Sequence, residues 1–573
     1  MCGIAGVVIN GDNVGIGSFL KKMLQTIQHR GPDGTGCVID GVLERKMRLQ
    51  DLNLEKINGQ IALGQVGLAI NEEITSLQPF QSDSGHLSLL HNGEIYNHRD
   101  LRLELGETHS FTKNKNSEVI LKLIEKEYDG DLLSAAQKII PKIDGVYALV
   151  ITDDKEVVIA RDKIGLRQLY YCTNGDYTAF ATEKKPLMAI SHQTVEYHRL
   201  LPGHMAVVNG KDIKVSPFWN PQSLKSPSQI SDREEALKAY GGALTSSILK
   251  RTFGKKRVGI VFSGGIDSFL LAYMIQKLGI PFTCYTAGRK GSSDIEWAST
   301  VANQYKFPLK VKTFTLKDIE NVIPEIITTI EDHSLNQVEA ATAMYIANRT
   351  AQEHGEQMVM TGQGADEIFG GYPWYPKIVD QEGYDSFEKY SWEDTLLGYK
   401  ETFERENKIA MAHGLEMSVP YTDPEVIRVA FSISPELKIK RGNDRIQKRL
   451  HREYGVSIGI SKEIAFREKE AAQHGANVHG AFEELANMTG VTEAMLEDAG
   501  YDPNVSVTEK LGSSSRYGFR YGDHHLWRPL SHVQYYLDSI AADLNLLPAE
   551  VRYHWEKITG YLQSKGLIRR NEL

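Results

Sequence analysis

The chain has 573 residues, 41% of them hydrophobic and 24% charged, with a formal net charge of -9 and a pI near 6.1. That length exceeds one hydrophobic core, so two or more domains are expected, and the acidic balance argues against nucleic acid as the main partner. No apolar run approaches the ~18 residues of a membrane span, which makes cytoplasm the expected compartment, with no membrane partner. The four cysteines, Cys2, Cys37, Cys172 and Cys284, include no C-x-x-C pair, which excludes the usual zinc and redox patterns; the last three sit in or beside apolar runs as expected core fillers.

From the N-terminus, Met1-Cys2-Gly3-Ile4-Ala5-Gly6-Val7-Val8-Ile9 has the apolar content of a strand. Removal of Met1, which the small Cys2 side chain permits, gives Cys2 a free α-amine beside its thiol. Such an amine titrates near ~7.7–8.0, so at neutral pH it takes the thiol proton and activates an acyl-accepting nucleophile. Apolar spacing predicts an amphipathic helix over Ile16 to Ile27, followed by a polar turn at His29-Arg30-Gly31-Pro32-Asp33-Gly34. After the apolar run Leu87 to Leu90 comes His91-Asn92-Gly93-Glu94-Ile95-Tyr96-Asn97, which sets an Asn amide beside a Gly N–H. That pairing suits an oxyanion hole, where one donor is worth ~3 kcal/mol.

An early Cys alone is a small strand residue. Taken with C-G-I-A-G, H-R-G-P-D-G, H-N-G-E-I-Y-N and the run R-D-K-I-G-L-R-Q-L-Y from Arg161 to Tyr170, it resembles an N-terminal-nucleophile glutamine amidotransferase over about residues 2 to 210. The resemblance implies that Cys2 attacks the glutamine amide, Asn92 and Gly93 hold the oxyanion, Arg30 supports the site and Glu94 helps bind glutamine. Two positions depart from it. The family's G-H-x-R-L-[AS]-I carries an Arg for the glutamine carboxylate, and Gly64 to Ile70, G-Q-V-G-L-A-I, puts Gly67 there; its Asp for the α-ammonium is Asn116 in this chain. Losing two charge-assisted contacts weakens glutamine binding by ~3 kcal/mol or more, about two powers of ten. A weakened or altered glutaminase, with free ammonia as substitute, is therefore expected unless Arg48 or Lys115 supplies the cation.

Residues 216–232, with Pro217, Pro221 and Pro227 among Ser and Gln, form the expected linker, and Arg233 to Lys250 a helix. Val258 to Phe262 reads as a buried strand and Phe269 to Leu278 as a helix. Between them, Ser263-Gly264-Gly265-Ile266-Asp267-Ser268 is a strand-to-helix turn whose glycines admit a ligand close to the backbone and whose hydroxyls and helix N-terminus suit phosphate. It lacks the Lys of a P-loop. Strand and helix then alternate through Pro281–Gly288, Asp294–Gln304, Leu309–Phe314 and Ala340–His354, the pattern of a parallel doubly wound sheet, up to the glycine-rich Met358–Tyr372.

S-G-G-x-D-S resembles the pyrophosphate loop of the ATP pyrophosphatases, which split ATP into AMP and pyrophosphate. The later T-G-Q-G-A-D-E-I-F-G-G-Y resembles the segment lying across the ATP phosphates from that loop. The resemblance implies that Val261, Phe262, Ser263, Gly264, Gly265, Asp267, Ser268, Ala287, Thr361 and Gly362 bind ATP, that Asp267 and Asp366 hold Mg²⁺, and that Asp366 and Glu367 meet substrate. In R-I-Q-K-R-L-H-R it implies that Lys448 meets pyrophosphate, with Arg467 and Lys469 as further cations. Gln363 replaces a family Glu that forms and uses the acyl-adenylate; a neutral amide orients a nucleophile but takes no proton. Glu339 and Ser418 stand where Arg is usual.

In this order the motifs resemble the glutamine-hydrolysing asparagine synthetase family. The implied architecture is an α+β N-terminal-nucleophile (αββα) domain over 2–215, then an α/β doubly wound parallel-sheet ATP pyrophosphatase domain over 233–486; residues 487–573 carry no recognised motif, and the apolar spacing of Val533 to Leu546 and Val551 to Leu567 predicts a helical extension there. The implied reaction is activation of aspartate by ATP and Mg²⁺ as aspartyl-AMP and its amidation by ammonia, from glutamine at Cys2 and Asn116 or from solution; a homodimer is compatible with it. Gly67, Asn116, Gln363 and Glu339 keep open a ligase acting on another carboxylate, and a non-catalytic amino-acid or nucleotide sensor is the reading from another class.

Overall fold

The computed structural model describes residues 2–9, 15–67, 77–106, 116–191, 195–225, 229–442, 446–468, 472–506 and 530–568. The chain divides into one unit of Met1–Lys225 with Tyr399–Asn407 and Met411–Glu416, and a second of Ser226–Gly398, Lys408–Ala410 and Met417–Leu573.

In the first unit the strands are β1 (Cys2–Ile9), β2 (Gly34–Ile39), β3 (Val42–Lys46), β4 (Ile61–Gly67), β5 (Phe80–Gln81), β6 (Ser88–Ile95), β7 (Gly145–Thr152), β8 (Val157–Arg161), β9 (Tyr170–Thr173), β10 (Tyr177–Ala181), β11 (His198–Arg199), β12 (His204–Asn209) and β13 (Asp212–Pro217). They build two sheets, ordered β11-β9-β10-β1-β4-β2-β3 and β13-β12-β8-β7-β6-β5. The helices are α1 (Ile16–Thr26), α2 (His98–Leu105), α3 (Asn116–Glu127), α4 (Leu132–Ile139) and α5 (Lys184–Met188). Strand β1 is apolar on both faces because it lies inside a sandwich. Ala5, Val7 and Ile9 join the core that Leu20, Met23 and Leu24 of α1 cover, while Ile4 and Val8 join Leu63, Leu90 and Val150 between the sheets. On the far side Leu89 and Ile151 pack with Ile120, Ile124 and Ala136 of α3 and α4. Helix, sheet, sheet, helix is the resulting layer order, as the sequence implies. Period-two alternation decides which strand residues reach the middle layer, and at the end of β1 that residue is Cys2.

Some boundaries differ from the sequence reading. Strand β6 runs on through His91-Asn92-Gly93-Glu94, because β7 pairs with it along its whole length, Ser88↔Thr152 to Ile95↔Gly145. Strand β13 enters the expected linker, with Pro217 at its end, where a missing N–H costs no ladder bond.

The second unit contains α6 (Arg233–Thr252), β14 (Val258–Val261), α7 (Ile266–Lys277), β15 (Phe282–Arg289), α8 (Ser293–Tyr305), β16 (Leu309–Phe314), α9 (Leu316–Ile330), α10 (Leu335–Glu353), β17 (Met358–Met360), α11 (Ala365–Phe369) and β18 (Glu416–Ser418), in a sheet ordered β16-β15-β14-β17-β18. Strand β14 runs parallel to both β15 and β17. The chain steps outward from β14 to β16 and returns to the other side of β14 at β17, so the strand order reverses between β14 and β17. In open α/β sheets a ligand crevice opens at the carboxyl ends of the strands flanking such a reversal. Both glycine-rich turns lie there. Helix α7 starts at Ile266, three residues before the expected Phe269, which places Asp267 and Ser268 on its first turn, where a carboxylate is favoured by the helix dipole. In the C-terminal part, helices at Ser531–Asp543 and Ala549–Ser564 fall where the pattern predicts helix. Gln534 ties the first of them to α10: Oε1 accepts from Leu335 N at 2.9 Å, and Nε2 donates to the His333 carbonyl at 3.1 Å. Among the described residues no helix is long and apolar enough to cross a membrane.

Candidate active site

At the end of the middle layer of the first unit, Cys2 pairs across β1 and β4 with Gly67. Its backbone nitrogen donates to Asn92 Oδ1 at 3.2 Å, which ties β1 to β6 of the other sheet. Asn92 is fully buried, and its Nδ2 has no hydrogen-bond partner among the described residues: an amide donor left free beside Cys2. Gly93 has φ +149, and a Cβ there would lie 1.8 Å from the Val146 carbonyl, so only glycine fits. Glu94 follows it, half-buried.

Two carboxamides surround the thiol that the sequence reading did not single out. Gln65 Nε2 donates to Cys2 Sγ at 2.7 Å, and Gln78 Nε2 lies 4.0 Å from it. Gln65 is legible in hindsight, two residues from Gly67 on the same strand face; Gln78 carries no local signal. His91, buried on the opposite face of β6, shares a hydrogen bond with Ser117 Oγ at 2.8 Å. Burial, then positive charge at the N-terminus and on Arg167, holds the imidazole down at about 3, so it is neutral at working pH. Arg30 is fully buried and donates to Glu183 Oε1 at 2.7 Å and, within the same unit, to Asn407 Oδ1 at 3.4 Å; His29 and Lys185 reach the same Glu183 carboxylate at 3.1 and 3.0 Å. These contacts make Arg30 an anchor of the wall under β1. The motif from Arg161 to Arg167 is likewise scaffold: Asp162 accepts the backbone N–H groups of Ile164, Gly165, Leu166 and Arg167, and Arg161 donates to the carbonyls of Gly165, Arg167 and Leu200. Asn116 opens α3, but its side chain lies outside the described residues, as do Lys115, Arg445 and Lys469. Burial pushes the Cys37 and Cys172 thiols up to about 12 and raises that of Cys284, which suits the filler role.

In the second unit three charged residues far apart in sequence meet. Lys448 Nζ donates to both carboxylate oxygens of Asp267, at 2.8 and 2.6 Å, and to Asp366 Oδ1 at 2.8 Å. Asp267 lies on the first turn of α7 and Asp366 on that of α11, while Lys448 caps the helix Arg449–Ser457 in the left-handed region, φ 48. Burial works against its charge, but the two carboxylates outweigh burial and raise its pKa. His451, three residues on, brings Nε2 to 3.1 Å from Asp267 Oδ1 while Nδ1 meets Tyr240 OH at 2.7 Å; burial holds it below its usual range. Tyr421 OH donates to the Asp267 carbonyl at 2.8 Å.

The loop itself is held open by packing. Gly264 takes φ +75, a Cβ there would lie 2.8 Å from Trp297, and Trp297 Nε1 donates to its carbonyl at 3.0 Å. Ser263 Oγ accepts from Gly265 N at 3.3 Å, and Ser268 Oγ accepts from Ser263 N at 3.3 Å. Gly362 packs on Asp267, with a Cβ there 2.9 Å from the Asp267 Cβ, so the two turns touch. Thr361 and Phe262 are buried beneath them, Val261 and Gln363 are half-buried, and Ala287 is buried near the carboxyl end of β15. Glu367 accepts a hydrogen bond from Tyr372 OH at 2.6 Å. Glu339 on α10 is buried and meets His479 Nδ1 at 2.7 Å, which raises the pKa of that imidazole.

Asp267 and Asp366 already converge on one cation, so their geometry fits a shared positive charge. Among the described residues no group of three or more His, Cys, Asp or Glu side chains is placed to hold a metal ion.

Comparison with known proteins finds two kinds of domain in the same order. A glutamine amidotransferase domain model matches residues 1–202, and an asparagine synthase model matches residues 239–384 and 379–538, continuing past residue 486 into the C-terminal part. A protein of Methanocaldococcus jannaschii named putative asparagine synthetase [glutamine-hydrolyzing] 1 is 27% identical over 544 residues, covering 87% of this chain and 98% of its own length. Asparagine synthetase [glutamine-hydrolyzing] 1 of Lotus japonicus is 27% identical over 540 residues, covering 89% and 84%, and asparagine synthetase [glutamine-hydrolyzing] 3 of Arabidopsis thaliana is 28% identical over 529 residues, covering 87% and 84%. Because the asparagine synthase model spans more than half of the 573 residues and follows an amidotransferase domain, the chain belongs to the asparagine synthase family.

Proposed function

We infer that the chain is an ATP-dependent carbon–nitrogen ligase that makes asparagine from aspartate. The observation that carries this reading is the convergence of Asp267, Asp366 and Lys448 at the carboxyl ends of β14 and β17. A carboxylate is a poor electrophile until it bears a good leaving group. Attack by an aspartate side-chain oxygen on the α-phosphorus of ATP forms aspartyl-AMP and breaks the bond to pyrophosphate; ammonia then forms the amide C–N bond, AMP leaves, and one proton passes to solvent.

The residues divide this work. Ser263, Gly265 and Ser268, with the first turn of α7, offer hydroxyl and N–H donors to the departing pyrophosphate, and Lys448 neutralises its charge. Asp267 and Asp366 would hold Mg²⁺, which would supply positive charge to neutralise the phosphates. Gln363 orients the incoming nucleophile without taking its proton. In the first unit, with Met1 removed, Cys2 is the nucleophile toward the carboxamide of glutamine: the S–C bond forms, ammonia leaves with the thiol proton, and water releases glutamate from the thioester. Asn92 Nδ2 and Gly93 N receive the oxyanion.

The test is pyrophosphate release and asparagine formation with ATP and Mg²⁺ across a panel of carboxylic acids, with ammonium or glutamine as nitrogen source. Aspartate-dependent turnover is expected. Silence with aspartate while another acid works would replace the acceptor, and silence with every acid would leave the sensor reading.

A further inference from the structure

We propose that Gln65 is a built-in occupant of the glutaminase site: its carboxamide sits against Cys2 Sγ where the carboxamide of free glutamine must bind, and Gly67 makes the room for it. The inference rests on the reading of Cys2 as the amide-attacking nucleophile.

Attack requires the substrate's amide carbon within about 3–3.5 Å of the sulfur. Gln65 Nε2 already lies 2.7 Å from it, on the face between the sheets that Asn92 shares. The occupying group is chemically the substrate's own, a glutamine side-chain amide, so a pocket that accepts one accepts the other. Gln78 does not play this part. Its carboxamide is fixed at both ends by the backbone of His91, Nε2 to the carbonyl at 2.9 Å and Oε1 from the N–H at 2.6 Å, whereas Gln65 Nε2 has the sulfur as partner and Gln65 Oε1 has no partner among the described residues. A buried amide with half its hydrogen-bonding capacity unmet is poised to leave. The oxyanion donor of Asn92 meanwhile stays unused.

Gly67 is the enabling residue. A Cβ built there meets Gln65 Nε2 at 2.8 Å and otherwise only Leu77 at 3.7 Å and Cys2 Sγ at 3.9 Å. The backbone therefore tolerates a side chain at 67, and what such a side chain displaces is the Gln65 amide. The two positions form a matched pair: glutamine has to displace the Gln65 amide to reach Cys2, however its carboxylate is held.

The test uses the full chain as wild type, Gln65→Ala and Gly67→Ala. Each is treated with iodoacetamide, a small electrophile bearing a carboxamide, and Cys2 alkylation is followed by peptide mass spectrometry; glutamate release from glutamine and ammonia-dependent pyrophosphate release are measured alongside. Cys2 alkylation and glutamate release should each rise about tenfold or more in both variants, with the ammonia-dependent rate within about twofold of wild type, which also reports an intact fold. Alkylation that is unchanged or slower in both variants overturns the proposal. Faster alkylation without glutamate release upholds the occupancy and overturns the glutaminase reading of Cys2.

Discussion

Replacing Lys448 by Met keeps the length and apolar stem of the side chain and deletes its charge. In the native protein the ammonium is 1% exposed and lies 2.6–2.8 Å from oxygens of two carboxylates that are 20% and 17% exposed. Removing one partner of a buried ion pair costs about 3–5 kcal/mol, because the remaining charge is left without compensation. The carboxylates retain some water, so the lower end applies, and we expect the second unit to lose about 3 kcal/mol. The pH sign follows from the raised lysine pKa: its contribution is complete below the ordinary lysine value and disappears only as pH climbs through the folded one. The gap between variant and wild type should therefore be flat from pH 6 to 9. Asp267 and Asp366, left facing each other, should take up a divalent ion more readily, so Mg²⁺ should raise the melting temperature of the variant more than that of wild type. Urea unfolding, followed by hydrogen exchange of β14 and β17 amides with and without Mg²⁺, reads both effects. Aspartate-dependent pyrophosphate release should fall about 10²-fold through loss of a transition-state cation. A stability loss below about 0.5 kcal/mol, or a Mg²⁺ response equal to wild type, would refute the charge argument.

Gly371→Ala tests the same carboxylate by sterics: a Cβ at 371 would lie 1.9 Å from Asp366 Oδ1 and 2.9 Å from Lys448 Cδ, so pyrophosphate release should be lost while glutamate release is kept. Asn92→Ala removes the free amide beside Cys2 and should lower glutamate release about 10²–10³-fold with ammonia-dependent synthesis intact. His91→Gln addresses pH. A histidine at about 3 in the folded chain and near 6.5 unfolded makes stability fall as pH drops through that window, by about 2 kcal/mol between pH 7.5 and 5. The variant should lose that slope in hydrogen exchange of β6 amides, and an unchanged slope would place the acid sensitivity elsewhere.

The two-part architecture was legible because each layer writes a different period into the sequence. Strand β1 is apolar throughout because both faces are covered, and α1 shows its stripe at Ile16, Leu20, Met23 and Leu24. What misled the reading was polarity within strands. The apolar run Leu87 to Leu90 ends at His91-Asn92-Gly93-Glu94, yet β7 pairs with those residues as well, and the polar side chains are accommodated by Ser117 on one face and Cys2 on the other. The start of α7 was missed for a related reason: Asp267 and Ser268 interrupt the apolar spacing but suit a first turn. The motif Arg161 to Arg167 pointed to the right kind of domain and yet works as a staple for its own loop. Lys448 lies 181 residues from Asp267 and 82 from Asp366, and no local pattern sets such separations; the sheet reversal between β14 and β17 does.

The electrostatics of that convergence also explain why a phosphate site should contain acids at all. Two carboxylates and one ammonium leave the triad with an excess negative charge, and a triphosphate adds several more. Like charges at such distances repel by several kcal/mol even at an effective dielectric of about 20. Glycines, hydroxyls and a helix N-terminus alone would bind phosphate more favourably without Asp267 and Asp366. Their presence is intelligible if they recruit a further cation that the nucleotide shares, with Lys448 holding them apart and in place until it arrives. On this view Lys448 has two positions in the cycle, bound to the carboxylates before the nucleotide enters and turned to the pyrophosphate as it leaves.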